Sequence, residues 1–289
     1  MISYKLQEPT WNTPLVKIPQ GRERYGANVF AKLEAVNPTG THKDRGSAMV
    51  VLEMIEKGYD TAVCASSGNA ALSLSAFMYM NELKAKIFVG SNVSKEKLDL
   101  IRIFKPEIEI VEGDYMAATQ KVIEAAEKHG YYNANAGYCQ AKIVGNAYIG
   151  REIAPFSPNV VVCPTNNGTH LVGVWEGLKR AGVSPRMIAA TSQFTKIADS
   201  IHGFYRLEEP KISKAVKDSG GQFVSVSDKE LVEETISLAK QGILSEPASA
   251  ASAAALKHVD LEENDIVVCI ITGNALKFPK RMRKILCSR

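Results

Sequence analysis

Short apolar runs rich in β-branched residues recur along the chain, at 29–33, 62–65, 86–89, 108–111, 160–163, 187–191, 223–226 and 266–271. Runs of this length, bounded by polar and turn-forming residues, predict buried strands. Helix-like stretches separate them at 47–56, 70–80, 116–128, 171–180 and 229–240. Strand–helix alternation of this kind predicts an α/β architecture with mostly parallel sheets. Two helix starts are well marked. Ser227 followed by Glu230 reads as a capping box, in which the Ser caps the Glu N–H and the Glu returns the bond. Asp114 stands where an N-cap for the 116–128 helix belongs.

Composition sets bounds on this picture. The chain has 289 residues, 45% hydrophobic and 23% charged, a globular balance that disfavours disorder or a coiled coil. The length is long for one average domain and comfortable for two modest ones. A net charge of +4 is too small an excess to point to nucleic acid, while small anionic ligands remain open. Cys64, Cys139, Cys163, Cys269 and Cys287 are odd in number and free of any CxxC spacing, which argues against a disulfide framework or a zinc site. Cys64, Cys163 and Cys269 lie in or beside strand-like runs, where cysteine behaves as a small hydrophobe. The first fifteen residues hold no continuous apolar stretch, so a cytoplasmic location is expected. The uncharged window 61–81 is long enough to span a bilayer, but Ser66, Ser67, Gly68, Asn69, Ser73 and Ser75 fit a strand, a polar turn and a helix better.

Four segments share the layout of an apolar strand, a polar loop containing Gly, and a helix. In parallel sheets such loops gather at strand carboxyl ends, where helix N-termini present unpaired N–H groups to anions. The first is Asn37-Pro38-Thr39-Gly40-Thr41-His42-Lys43-Asp44-Arg45-Gly46. The cationic neighbours His42 and Arg45 favour a lowered pKa at Lys43 and so a better amine nucleophile; a solvated charged helix start is the plainer alternative. The second is Ala65-Ser66-Ser67-Gly68-Asn69, which also reads as an ordinary cap. The third, Pro164-Thr165-Asn166-Asn167-Gly168-Thr169-His170, is a weak form of a phosphate loop in the right context. The fourth is Thr272-Gly273-Asn274-Ala275-Leu276-Lys277, equally a strand-end turn. No HExxH or paired-carboxylate spacing supports a metal hydrolase or a glycosidase, and no metal site is expected.

Taken together, these residues resemble the fold-type II, or tryptophan synthase β-like, pyridoxal-phosphate enzymes. NPTGTHKDRG is similar to their Schiff-base lysine segment, and the motifs at 66–69, 165–169, 246–252 and 272–277 follow in the family's order. The resemblance runs over nearly the whole chain. Within the family, NPTGTHKDRG, EPASAAS and TGNALK are most similar to threonine synthases. The resemblance implies two three-layer α/β domains with mostly parallel sheets: a smaller one of 44–133 and a larger one of 1–43 with 134–289, the cofactor lying in the cleft between them.

The resemblance also implies roles. Lys43 holds pyridoxal 5'-phosphate and then moves protons. Asn69 meets the cofactor's phenolic oxygen, and Asn166, Asn167, Gly168 and Thr169 cup its phosphate. Thr272 hydrogen-bonds the pyridine nitrogen, and a hydroxyl there leaves that nitrogen less protonated. Ser66 and Ser67 receive the α-carboxylate of a small amino-acid substrate, and Lys142 stands where an Arg is expected to meet a substrate phosphate. The implied reaction turns O-phosphohomoserine and water into threonine and phosphate, in a homodimer with no nucleic-acid or membrane partner. Some positions depart from the threonine synthase pattern. Ala70 replaces a Thr and matches serine/threonine dehydratases, Asn274-Ala275 replaces His-Gly, and Lys142 keeps a charge but lacks the guanidinium fork. A serine/threonine dehydratase is therefore the second expectation, a cysteine synthase-like β-replacement enzyme the third. A catalytically silent cofactor or amino-acid binding protein is the alternative outside enzymology.

Overall fold

The computed structural model describes residues 8–91, 93, 95–202, 207–277 and 279–287. Its strands are β1 Leu15–Lys17, β2 Asn28–Lys32, β3 Thr61–Ala65, β4 Lys84–Gly90, β5 Glu107–Val111, β6 Tyr132–Asn133, β7 Val160–Pro164, β8 Arg186–Thr191, β9 Gln222–Ser225 and β10 Ile266–Ile270. Every apolar run expected to be a strand is one. The chain divides into two compact units: Lys43–Gly145 with the described part of Met1–Thr10, and Trp11–His42 with the described part of Asn146–Arg289.

The first unit holds a four-stranded parallel sheet in the order β5-β4-β3-β6. All five residues of β3 are buried, as expected of an inner parallel strand covered on both faces. Val63, Ala65, Phe88 and Val111 of this sheet pack with Ala118 and Val122 of the Tyr115–His129 helix. Asp114 caps that helix, its carboxylate accepting from the N–H groups of Met116 and Ala117. The window 61–81 forms β3, a polar loop and the Asn69–Met80 helix. Among the described residues, no helix is long and apolar enough to cross a membrane.

The helix expected over 47–56 begins earlier, as Lys43–Lys57. Two contacts fix it within its unit. Ser73 Oγ, on the Asn69–Met80 helix, donates to Ser47 Oγ at 2.7 Å, both buried. On the other side Gly145 comes so close that a Cβ there would stand 2.3 Å from the Arg45 carbonyl oxygen. Only a glycine permits that approach.

The second unit is built from both ends of the chain. Its six-stranded sheet runs β1-β2-β10-β7-β8-β9. β10 pairs in parallel with β2 on one side and β7 on the other, and only the edge strand β1 is antiparallel. The inner strands β7 and β10 are apolar and almost wholly buried. Cys163 and Cys269 sit on them as buried thiols, pushed well above the ordinary range by burial. Val162, Ile188, Val267 and Cys269 share a core with Leu231 and Leu238 of the Asp228–Lys240 helix and the alanines of the Pro247–Ala254 helix. Ala and Ser at every position after Pro247 let that helix lie close to the sheet. The Ser227–Glu230 capping box forms in full.

Candidate active site

In the first unit, Lys43 opens its helix and the next two residues, Asp44 and Arg45, are 0% exposed. The charged run is therefore not a solvated helix start. Arg45 donates from Nη1 to the Pro9 carbonyl at 2.9 Å, which offsets part of the cost of burying the guanidinium. Ser66, Ser67 and Gly68 form the loop after β3, with the Gly68 N–H donating to Ser66 Oγ at 3.2 Å, and Asn69 is the first residue of the helix that follows. The Ser47–Ser73 bond thus ties together the two helices that Lys43 and Asn69 begin. Sequence reasoning missed Asn135, whose Oδ1 accepts from the Ala65 N–H at 3.1 Å and fixes the point where the 66–69 loop leaves β3. Asn135 is 1% exposed and its buried Nδ2 has no hydrogen-bond partner in the described structure.

Lys142 is buried, and its ammonium donates to the Ala134 carbonyl. Its aliphatic stem lies on the first turn of the Lys43 helix, against Gly46. Burial pushes the Cys64 thiol up, while the charges of Lys142 and Lys43 pull it the other way. Both cations thus act on Cys64, the residue before the last of β3, just upstream of the serine loop.

In the second unit, Asn166, Asn167 and Gly168 follow β7, and Thr169 begins the Thr169–Arg180 helix. Gly168 has φ +90°, and a Cβ on it would meet Ile212 Cδ1 at 2.0 Å. The left-handed glycine turns the loop into the helix N-terminus, where backbone N–H groups lack intrahelical acceptors. Asn166 Oδ1 and Thr169 Oγ1 are buried with no hydrogen-bond partner among the described residues.

Thr272, two residues past β10, is 4% exposed and held from two sides. Its carbonyl accepts from the His42 N–H at 3.0 Å, with His42 Nδ1 at 3.2 Å. Its hydroxyl lies 2.8 Å from Ser249 Oγ. Thr41 bridges Gly273, and Asn274 N–H donates to the Gly40 carbonyl at 3.1 Å, so residues 40–42 run antiparallel to the strand end. That pairing anchors the chain up to the residue before Lys43. His42 also packs on His170, the second residue of the loop's helix, with ring centroids 4.5 Å apart and both rings buried. Neither His42 nor Ser249 stood out as a site residue in the sequence.

These groups suit pyridoxal phosphate. A phosphate needs a concave set of donors, and the 166–169 loop supplies a helix N-terminus, a left-handed glycine that turns the chain into it and a buried hydroxyl in need of a partner. An aromatic nitrogen needs a fixed hydroxyl, and Thr272 is one. An amine-reactive aldehyde needs a lysine on a rigid element, and Lys43 stands at a helix start whose neighbours are buried.

Comparison with known proteins agrees. A family model described as pyridoxal-phosphate dependent enzyme matches residues 6–273. Threonine synthase from Halalkalibacterium halodurans is 28% identical over 295 aligned residues, covering 93% of this chain and 83% of the relative. Threonine synthase from Synechocystis is 29% identical, covering 93% and 77%. Among solved structures, the cysteine synthase of Entamoeba histolytica superposes with a TM-score of 0.84 at 20% identity, over 99% of this chain and 91% of that one. The α/β layout, the parallel sheets and the family match lead to one conclusion: the chain belongs to the fold-type II pyridoxal-phosphate-dependent enzymes.

Proposed function

We propose that this enzyme converts O-phosphohomoserine and water to threonine and phosphate. The observation that carries the reading is the likeness to threonine synthases along 93% of the chain. When bound, pyridoxal phosphate supplies a conjugated ring that withdraws electrons from the substrate's α-carbon.

The chain's residues do the rest. Lys43 holds the cofactor through its amine and, once released, takes and returns protons at the substrate carbons. Asn166, Asn167, Gly168 and Thr169 bind the cofactor phosphate, Asn69 meets its phenolic oxygen and Thr272 its ring nitrogen. Ser66 and Ser67, with the N–H groups of their loop, receive the substrate carboxylate. Lys142 supplies charge to the substrate phosphate. In this structure its ammonium rests on a neutral carbonyl, that of Ala134, and a phosphate oxygen is the stronger acceptor. Water is needed only after phosphate has left Cγ, so these groups also have to keep it from the reacting carbons until then.

Ala70, the residue after Asn69, favours a second reading, β-elimination from serine or threonine to a 2-oxo acid and ammonia. Side-by-side kcat/KM values for O-phosphohomoserine, serine and threonine separate the two. The first reading expects O-phosphohomoserine to lead; faster formation of 2-oxo acid from serine or threonine contradicts it. Lys142→Ala is expected to lower kcat/KM for O-phosphohomoserine by about 10- to 100-fold, the scale of one charge-assisted hydrogen bond. Any slow turnover of serine should change far less. Equal losses on both substrates would remove Lys142 from phosphate binding.

A further inference from the structure

The Thr272 hydroxyl can meet an aromatic nitrogen in two ways: as a donor to an unprotonated nitrogen, or as an acceptor from a protonated one. The second unit contains a group that decides between them. Ser249, in the first turn of the Pro247–Ala254 helix, is 0% exposed and its hydroxyl makes three contacts. Oγ accepts from the Gly273 N–H at 2.8 Å. It lies 2.8 Å from Thr272 Oγ1 and 3.2 Å from the Gly273 carbonyl oxygen.

Ser249 has a single proton to place. If it goes to the Gly273 carbonyl, Ser249 can accept from Thr272, whose oxygen is then left with lone pairs only for any outside partner. If it goes to Thr272 Oγ1, the Thr272 proton is left to point outward. The Gly273 carbonyl already accepts from the Glu246 N–H at 3.1 Å, so it does not need the Ser249 proton, and Thr272 Oγ1 is the nearer of the two acceptors open to that proton. Either arrangement leaves the Gly273 N–H bond to Ser249 intact, because the serine oxygen has two lone pairs.

We infer that Ser249 is a positioning residue that donates to Thr272 and so fixes the Thr272 hydroxyl as a donor to an unprotonated cofactor nitrogen. The inference rests on the proposed placement of Thr272 at that nitrogen. Ser249 reaches the cofactor only through Thr272. A serine 23 positions upstream in the chain thereby sets the protonation state of the ring.

The test is the 15N resonance of ring-labelled pyridoxal phosphate in the holoenzyme, recorded at one fixed pH for the wild type and for Ser249→Ala, Ser249→Cys, Ser252→Ala and Thr272→Ala. The wild type should resonate in the neutral-pyridine range. Ser249→Ala should move the resonance toward the pyridinium range and weaken cofactor binding about 5-fold, the scale of one net hydrogen bond. Ser249→Cys keeps the side chain's shape with a weak donor and should move the resonance in the same direction, which covers the case in which the alanine variant does not fold. Ser252 is equally buried and its hydroxyl donates to the Ser249 carbonyl, at 2.8 Å, away from Thr272, so Ser252→Ala should leave the resonance in place. If Thr272→Ala shifts the resonance and both Ser249 variants leave it unmoved, the role of Ser249 is overturned while Thr272 keeps its place. If Thr272→Ala leaves it unmoved as well, the placement of Thr272 fails and the inference fails with it.

Discussion

Lys43→Ala is expected to lower turnover by at least about 10³-fold, because in the proposed mechanism one side chain both holds the cofactor and moves the protons, and positioned proton transfer alone is worth about 10²- to 10⁴-fold. The same substitution should abolish the visible band of the lysine-bound cofactor. The fold should survive it. Lys43 is the first residue of its helix and alanine is the best helix former, while the neighbours that anchor the turn, Asp44 and Arg45, are untouched. Lys43→Arg separates charge from chemistry: it keeps a cation at the helix start but offers no amine that condenses with an aldehyde. Both variants should be inactive and lack the band, with unfolding curves close to the wild type's. Retention of the band or of turnover by either variant would take Lys43 out of the role of cofactor lysine.

The second large effect is expected at Gly168. Its φ of +90° is open to glycine and strained for other residues, at about 1–3 kcal/mol. A Cβ there would also lie 2.0 Å from Ile212 Cδ1 and 2.1 Å from Cγ1, an overpacking that typically costs about 1–3 kcal/mol. Gly168→Ala should therefore destabilise the protein by about 2–6 kcal/mol in urea unfolding. Because relaxation of this loop displaces the N–H groups proposed to bind the cofactor phosphate, cofactor affinity should fall as well. The two causes can be told apart in a double-mutant cycle with Ile212→Ala, which removes the clashing atoms and leaves the backbone strain. The cycle should show a favourable coupling, with cofactor affinity recovering only in part. A Gly168→Ala protein as stable as the wild type, with unchanged cofactor affinity, would mean that the loop is not held in the way described.

Much of the fold could be read from the chain because its inner strands are uninterrupted apolar runs. β3, β7 and β10 are buried on both faces, and Thr-Ala-Val-Cys-Ala or Ile-Val-Val-Cys-Ile has few other uses in a folded protein. β1 and β6 escaped because they are three and two residues long and take their identity from the strand beside them. The Gln140–Ile153 helix escaped for a different reason. Its Gly145 looks like a helix breaker until the Arg45 carbonyl is seen against it. The early start of the Lys43–Lys57 helix was hidden because Lys-Asp-Arg reads as solvated surface, and only packing reveals that Asp44 and Arg45 are enclosed.

The candidate site was legible where function is written locally, in loops such as Ser66-Ser67-Gly68-Asn69 and Asn166-Asn167-Gly168-Thr169. It was illegible where a residue acts across the fold. Ser249 meets Thr272, Asn135 meets Ala65 and His42 meets Thr272 through pairings that only the sheet order creates. No spacing rule along the chain connects such pairs.

Product analysis of a single reaction tests the proposed conversion of O-phosphohomoserine to threonine. Purified holoenzyme incubated with O-phosphohomoserine in ¹⁸O-labelled water should release phosphate and form threonine in equal amounts, with the label in the threonine hydroxyl. Phosphate accompanied by a 2-oxo acid and ammonia instead of threonine, or no phosphate release while serine is consumed, would contradict it.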